Sequence, residues 1–281
     1  MTDNAPLIAF LGTGKMSSAL ISRISKNKSY EIIAANRSKE KLTKLKKSNP
    51  KIIIAKDNAD AVRKSEVIFI CMKPQDIDGV LDEIKGFIDK NKLIVSIVAG
   101  ISIKHIESKL MKGNTLSKRN FSQKIKIIRL MPNINCIVGE MACGVSFNKN
   151  IKEEDIKKIK KILSQCGKLF IVEEKLMHTI TAISGSGPAF FAYFTGLMID
   201  AGIKNGLDRK IAMELAVQTA FGTAKLMSEK KISAEDLIKI VASPNGTTMA
   251  GLSVLDGSDL KLILNKTISA SIRRSKELSV E

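Results

Sequence analysis

Gly12-Thr13-Gly14-Lys15-Met16-Ser17 directly follows the apolar run Leu7–Leu11. Its chemistry is anion binding. Gly12 can make a tight turn, Gly14 offers bare backbone for close approach of a pyrophosphate, and Ser17 is small enough for helix and strand to pack. A helix opening here points its free amides and positive dipole end at the phosphates, so Thr13, Lys15 and Met16 join the two glycines as expected cofactor contacts. A second segment, Asn36-Arg37-Ser38-Lys39, follows the run Glu31–Ala35. An NAD site places an acid there for the ribose 2′-hydroxyl, whereas Arg37, the Ser38 hydroxyl and Lys39 suit a 2′-phosphate. The expected cofactor is NADPH, with NADH possible, and Asn36, Arg37 and Ser38 are its expected contacts. Three further turns carry hydroxyls or bare amides: Arg129-Leu130-Met131-Pro132-Asn133, Ile183-Ser184-Gly185-Ser186-Gly187-Pro188-Ala189 and Ser243-Pro244-Asn245-Gly246-Thr247-Thr248. The first follows a strand, and the other two read as helix mouths that could meet an anion or a nicotinamide.

The elements that position these turns change along the chain. Short β-branched runs at Leu7–Leu11, Glu31–Ala35, Lys51–Ala55, Val67–Cys71, Leu93–Ile97 and Ile125–Arg129 alternate with helical patterns. That alternation implies βαβ units on a parallel sheet, and runs such as Ile52-Ile53-Ile54 imply strands buried on both faces. Two more strands are expected around Met141–Phe147 and Leu169–Val172, with a helix marked by Ile156, Ile159 and Leu163 between them. From about Glu173 strand signals stop. Asp208 and the pair Ser233 and Asp236 are expected helix caps, and Leu260, Leu264, Ile268 and Ile272 give the last helix one apolar stripe that must bury against this chain or a partner. The expected fold class is an α/β N-terminal Rossmann-like dinucleotide-binding domain, 1–172, followed by an all-α domain, 173–281.

Composition narrows the partners. The 281 residues carry 46 Lys plus Arg against 28 Asp plus Glu, a net charge of +18. Only eight of those cations are Arg, aromatics are 4%, and the lysines are dispersed, so no nucleic-acid partner is expected. Leu176–Ile199 lacks Asp, Glu, Lys and Arg, but Ser184–Pro188 is expected to break it and leave a piece too short to cross a bilayer. The reading is a buried helix and no membrane partner. Cys71, Cys136, Cys143 and Cys166 match no zinc-ligand spacing and no compact disulfide framework, so no metal is expected. With no targeting pattern in Met1–Pro6, a cytoplasmic location is expected. His105 and His178 sit in none of the turns. Lys112–Lys124 reads as a solvated loop.

The chain resembles the pyrroline-5-carboxylate reductases. The resemblance runs from the Gly12 turn through Val67–Gln75, Val95–Gly100, the Met-Pro-Asn loop and the Ser-Gly-Ser-Gly-Pro turn to Ser-Pro-x-Gly-Thr-Thr and Arg274–Leu278. It implies reduction of pyrroline-5-carboxylate to proline by hydride transfer from C4 of NADPH to C5 of the cyclic imine, the last step of proline biosynthesis. It also implies a helical dimerisation domain, with dimers assembling into a decamer in many members. By the same resemblance Asn58, Cys71, Met72, Lys73, Ile97 and Ala99 contact the cofactor, while Glu174, Gly246, Thr247 and Thr248 lie at the substrate. The carboxylate is then held by amides and hydroxyl of the last turn, with Thr248, Ser186 or a water delivering the proton. Where the family has Met-Pro-Asn-Thr-Pro this chain has Met131-Pro132-Asn133-Ile134-Asn135-Cys136, and Asn245 replaces a glycine. Two rivals are weighed. A β-hydroxyacid dehydrogenase would need a catalytic Lys that Gly187–Ile203 lacks, and a non-catalytic NADP-binding regulatory protein would not need Thr247 and Thr248.

Overall fold

The computed structural model describes residues 6–112 and 125–279, so most of the expected loop at 112–124 lies outside the described residues. The chain divides into two compact units, Met1–Ser186 with Ser271–Glu281, and Gly187–Ala270.

The first unit is built on one eight-stranded sheet: β1 (Leu7–Leu11), β2 (Glu31–Ala35), β3 (Ile53–Ile54), β4 (Val67–Ile70), β5 (Leu93–Ser96), β6 (Lys126–Met131), β7 (Met141–Phe147) and β8 (Gly167–Ile171). Their order is β3-β2-β1-β4-β5-β6-β7-β8. Helices α1 (Lys15–Ile24), α2 (Lys39–Ser48), α3 (Asn58–Lys64), α4 (Ile77–Ile84), α5 (Ile103–Met111) and α6 (Glu153–Ile162) connect them, and the short α7 (Met177–Ile180) follows β8. Strand alternation splits the core into two layers. Ile8 and Phe10 face one layer, Ala9 and Leu11 the other, and Phe10 stacks on Phe69 of β4 at 4.6 Å.

One expectation is met here and one corrected. The six expected runs pair in parallel, and the sheet then reverses, β6 and β7 running antiparallel. Only residues 132–140 join them, too few for the crossover that a parallel pair requires. The third run is not buried on both faces: Ile52 is buried, but Ile53 and Ile54 are exposed. As the last strand in the order, β3 has a neighbour on one side only.

The second unit contains α8 (Gly187–Lys204), α9 (Arg209–Lys230), α10 (Ala234–Val241), α11 (Thr247–Asp256) and most of α12 (Leu260–Glu277). Asp208 accepts from the amides of Lys210 and Ile211, and Ser233 accepts from Asp236, so both expected caps form. The unit has almost no core of its own. Only Gly187, Ala212 and Leu237 are buried in α8, α9 and α10, and no residue of α11 or α12 is.

The reading of Ala189–Ile199 as a buried helix is therefore corrected, since Phe191 is 74% exposed and Met198 65%. The expected break is present as a bend at Ser186, between the π turn that follows α7 and the start of α8. The stretch Glu174–Lys204 taken together is nevertheless, by length and composition alone, long and apolar enough to cross a membrane. A π turn over Thr181–Gly185 carries it toward Pro188, which has no amide to give a regular α turn.

Candidate active site

The glycine turn sits where the sheet order reverses. Leu11 is in register with Ala35 on one side and Ile70 on the other, so β1, β2 and β4 end side by side. Such a switch point is where open α/β sheets take ligands. Gly12 adopts φ +96°, and its amide donates to Ala35 at 2.8 Å. A Cβ there would press on the Cys71 carbonyl at 3.0 Å, so only glycine fits. At Gly14 a Cβ would meet nothing, because the backbone faces open space. Gly14 begins α1 with no side-chain cap and no acid in the first turn. Ser17 is buried, and its hydroxyl donates to the Gly14 carbonyl at 3.1 Å. A bare, uncapped helix start with a positive dipole end fits a dinucleotide diphosphate.

Nine of the expected cofactor residues line one cavity of about 670 Å³: Gly12, Thr13, Gly14, Asn36, Arg37, Asn58, Cys71, Met72 and Lys73. Asn36 donates to the Thr13 hydroxyl and accepts from the Ser38 amide, which ties the β2 end to the glycine turn. Asn36 and Arg37 also wall a second cavity of about 1040 Å³ with Lys39, Lys46, Lys47 and Lys56. Its basic rim and the apolar Leu42, Ile54 and Ala55 fit an adenosine bearing a 2′-phosphate. The Cys71 thiol is pushed well up by burial and stays neutral.

Other expected contacts sit elsewhere. Lys15 walls a different cavity with Arg23 and Ile134, while Met16 and Ile97 pack half-buried against the core. Ser38 caps α2 by accepting from Lys41 at 3.3 Å. Ala99 and Ser38 line none of these cavities. Sequence reasoning missed two acids in the groove. Asp76 binds Arg37 at 2.8 Å, and Glu83 accepts from Asn58 at 2.8 Å. Neither histidine lines the groove: His105 binds Asp78 at 2.6 Å and His178 meets the Ser275 hydroxyl at 3.0 Å.

The Met-Pro-Asn loop docks onto the π turn. Buried Asn133 donates to the Ser184 carbonyl and hydroxyl at 3.1 and 3.2 Å, and Ser184 donates to Ala142. The altered residues after it form a 3₁₀ turn, Ile134–Val138, which buries Cys136 and ends at Gly139 with φ +85°. At the expected helix mouth α8 does begin, at Gly187, but the Ser186 amide is spent on Thr181 at 2.8 Å across the π turn. The Ser186 hydroxyl lies 3.3 Å from that of Ser271. Glu174 accepts from Arg129 and from the Ile103 amide, each at 2.8 Å. Its carboxylate thus neutralises a buried guanidinium and the start of α5.

The last turn keeps its helix mouth. Asn245 takes φ +58°, the left-handed angle expected of it, and Gly246 begins α11 without a side-chain cap. A Cβ at Gly246 would lie 2.5 Å from the Ser243 hydroxyl. Among the described residues neither Thr247 nor Thr248 has a side-chain hydrogen bond to this chain.

A family described as pyrroline-5-carboxylate reductase dimerisation matches residues 174–278, and one described as NADP oxidoreductase, coenzyme F420-dependent, matches residues 7–100. The chain is 35% identical over 96% of its length, and 97% of the relative's, to a pyrroline-5-carboxylate reductase of Methanosarcina acetivorans. It is 34% identical, over the same shares, to one from Synechocystis. A solved pyrroline-5-carboxylate reductase from Coxiella burnetii superposes with a TM-score of 0.87 at 28% identity, covering 99% of this chain and all of that one. A Plasmodium falciparum pyrroline carboxylate reductase with NADP bound gives 0.82 at 30% identity over the whole of both chains.

Proposed function

The chain belongs to the pyrroline-5-carboxylate reductase family, and from that premise we propose how its own residues perform the reaction. The enzyme is an NADP-dependent oxidoreductase that reduces the C=N bond of L-1-pyrroline-5-carboxylate to give L-proline. When bound, NADPH supplies the hydride. The Gly12–Met16 turn and α1 hold its diphosphate, Arg37 with Lys39 holds the 2′-phosphate, and Asn58, Met72 and Lys73 position the rest. Residues 1–172 are assigned to this cofactor half and 173–281 to substrate and assembly.

The substrate carboxylate is held by the backbone amides of Gly246, Thr247 and Thr248 and by the two hydroxyls. Preorganised donors of this kind hold a small anion without a bulky cation beside the imine carbon. The protonated iminium is already a good electrophile, so the main work of the site is alignment and exclusion of water. Thr248, Ser186 or a bound water relays a solvent proton to the ring nitrogen. Glu174 acts as a positioning residue, because its carboxylate already holds Arg129. The observation that carries this reading is the uncapped α1 start opening into a groove walled by Arg37, Asn58, Met72 and Lys73.

The chain is an oligomer through its helical segment. We assign a homodimer, in which a second copy covers the apolar side chains left open on α8, α9, α11 and α12, with dimers assembling into a decamer. That burial also accounts for the apolar run Glu174–Lys204 without a membrane, in keeping with a cytoplasmic enzyme. NADPH oxidation followed with pyrroline-5-carboxylate tests the activity, with a 3-hydroxyacid plus NADP as control. Turnover of the imine alone supports the reading. A folded protein that binds NADPH and turns over only the hydroxyacid, or neither, refutes it.

A further inference from the structure

The end of β2 carries no acid in sequence, yet a carboxylate stands there in space. Arg37 Nη2 lies 2.8 Å from Asp76 Oδ1. Asp76 ends the 3₁₀ turn Pro74–Asp76 after β4, and both residues line the cavity shared with Gly12 and Gly14. The two partners are unequal. Arg37 is 84% exposed in its side chain and Asp76 25%, so a partly buried carboxylate holds an exposed guanidinium. The turn fixes Asp76, with its amide donating to Lys73 at 3.0 Å behind the rigid ring of Pro74. Asp76 immediately precedes α4 but makes no side-chain cap hydrogen bond there, so helix capping does not explain its presence. Arg37 itself stands at the junction of the two cavities, where the adenosine ribose would pass.

We infer that Asp76 sets the cofactor preference of this groove by competing with the 2′-phosphate for Arg37. A phosphate must share or take a guanidinium already held by a carboxylate and then sit near that like charge. The 2′-hydroxyl of NADH carries no charge and can donate to Asp76. The loop after β4 thus supplies the acid that an NAD site takes from the end of its second strand, opposed to the Arg that an NADP site uses. The effect of Asp76 is to narrow the gap between NADPH and NADH below what Arg37 alone would create. This rests on the reading of the groove as the cofactor site, and the test separates the two.

Dissociation constants for NADPH and NADH are measured by calorimetry without substrate, for the unaltered chain, Asp76→Asn, Asp76→Glu, Arg37→Ala and the Asp76→Asn/Arg37→Ala pair. Asp76→Asn is expected to tighten NADPH about two- to fivefold, the size of an exposed ion pair, and to leave NADH unchanged or weaker. Asp76→Glu should restore the original ratio, and the NADPH gain should vanish in the Arg37→Ala background. Equal tightening of both cofactors, no change with NADPH, or the same gain without Arg37 each overturns the inference while leaving the groove's function intact. If the unaltered chain binds neither cofactor, the reading of the groove fails and the inference with it. Urea midpoints run alongside separate a folding defect, which would weaken both cofactors together.

Discussion

Glu174→Ala tests whether that carboxylate serves the fold or touches substrate. Its Oε1 takes hydrogen bonds from Arg129 and the Ile103 amide at 2.8 Å each, and the Arg129 side chain is only 9% exposed. Removing one partner of a buried pair costs about 3–5 kcal/mol because the other charge stays behind unpaired. Glu174 is 32% exposed, so water reaches the vacated position and the loss falls to about 2–3 kcal/mol. Glu174→Gln keeps an acceptor for both donors and loses only the charge, which is about 1 kcal/mol. Combining Glu174→Ala with Arg129→Met should recover part of the loss, since the orphaned charge goes too. The assay is urea unfolding at fixed protomer concentration, with a midpoint shift on the order of 1 M for Glu174→Ala, read beside KM for the imine. An unchanged midpoint in both Glu174 variants with KM raised tenfold or more would refute the anchoring argument.

Further expectations follow from other contacts. Gly12→Ala must hold φ +96° with its Cβ 3.0 Å from the Cys71 carbonyl, so it should lose about 2–4 kcal/mol in urea unfolding or, if the turn shifts to relieve it, most of its NADPH affinity by calorimetry. Thr248→Ala should lower kcat or raise KM for the imine by about tenfold, the worth of one hydrogen bond to a charged group, in steady-state assays. Asp78 is held below the ordinary carboxylate value, chiefly by the hydrogen bond from Lys109, against desolvation, and then by that from His105. Its contribution is therefore present above the unfolded value of about 3.9 and lost as pH falls through the depressed one. Asp78→Asn should flatten that acid limb by less than about 1 kcal/mol, given its exposure. Val254→Asp, at a position 72% exposed in the single chain, should shift the protein to monomers in analytical ultracentrifugation.

What could be read from the chain was local. Gly14 before a helix, Asp208 and Ser233 before helices, and Asn245 at a left-handed angle each act on neighbours within four residues, so their spacing carries the information. Strand positions were legible because side-chain alternation and branching are written residue by residue, and all eight strands lie within two residues of the expected runs. The edge exposure of Ile53–Ile54 was not, because an isoleucine run looks alike with one neighbour or two.

Tertiary structure decided the rest. The reversal between β6 and β7 depends on loop length against crossover geometry, and the π turn on how a proline is carried within a helix. The Arg129–Glu174 and Arg37–Asp76 pairs join residues 45 and 39 positions apart, and no local pattern encodes such a distance. Sequence placed a dinucleotide site at Gly12 because a helix start binds anions through its own backbone. Which charges face that site was settled only when β2 and β4 were laid on either side of β1.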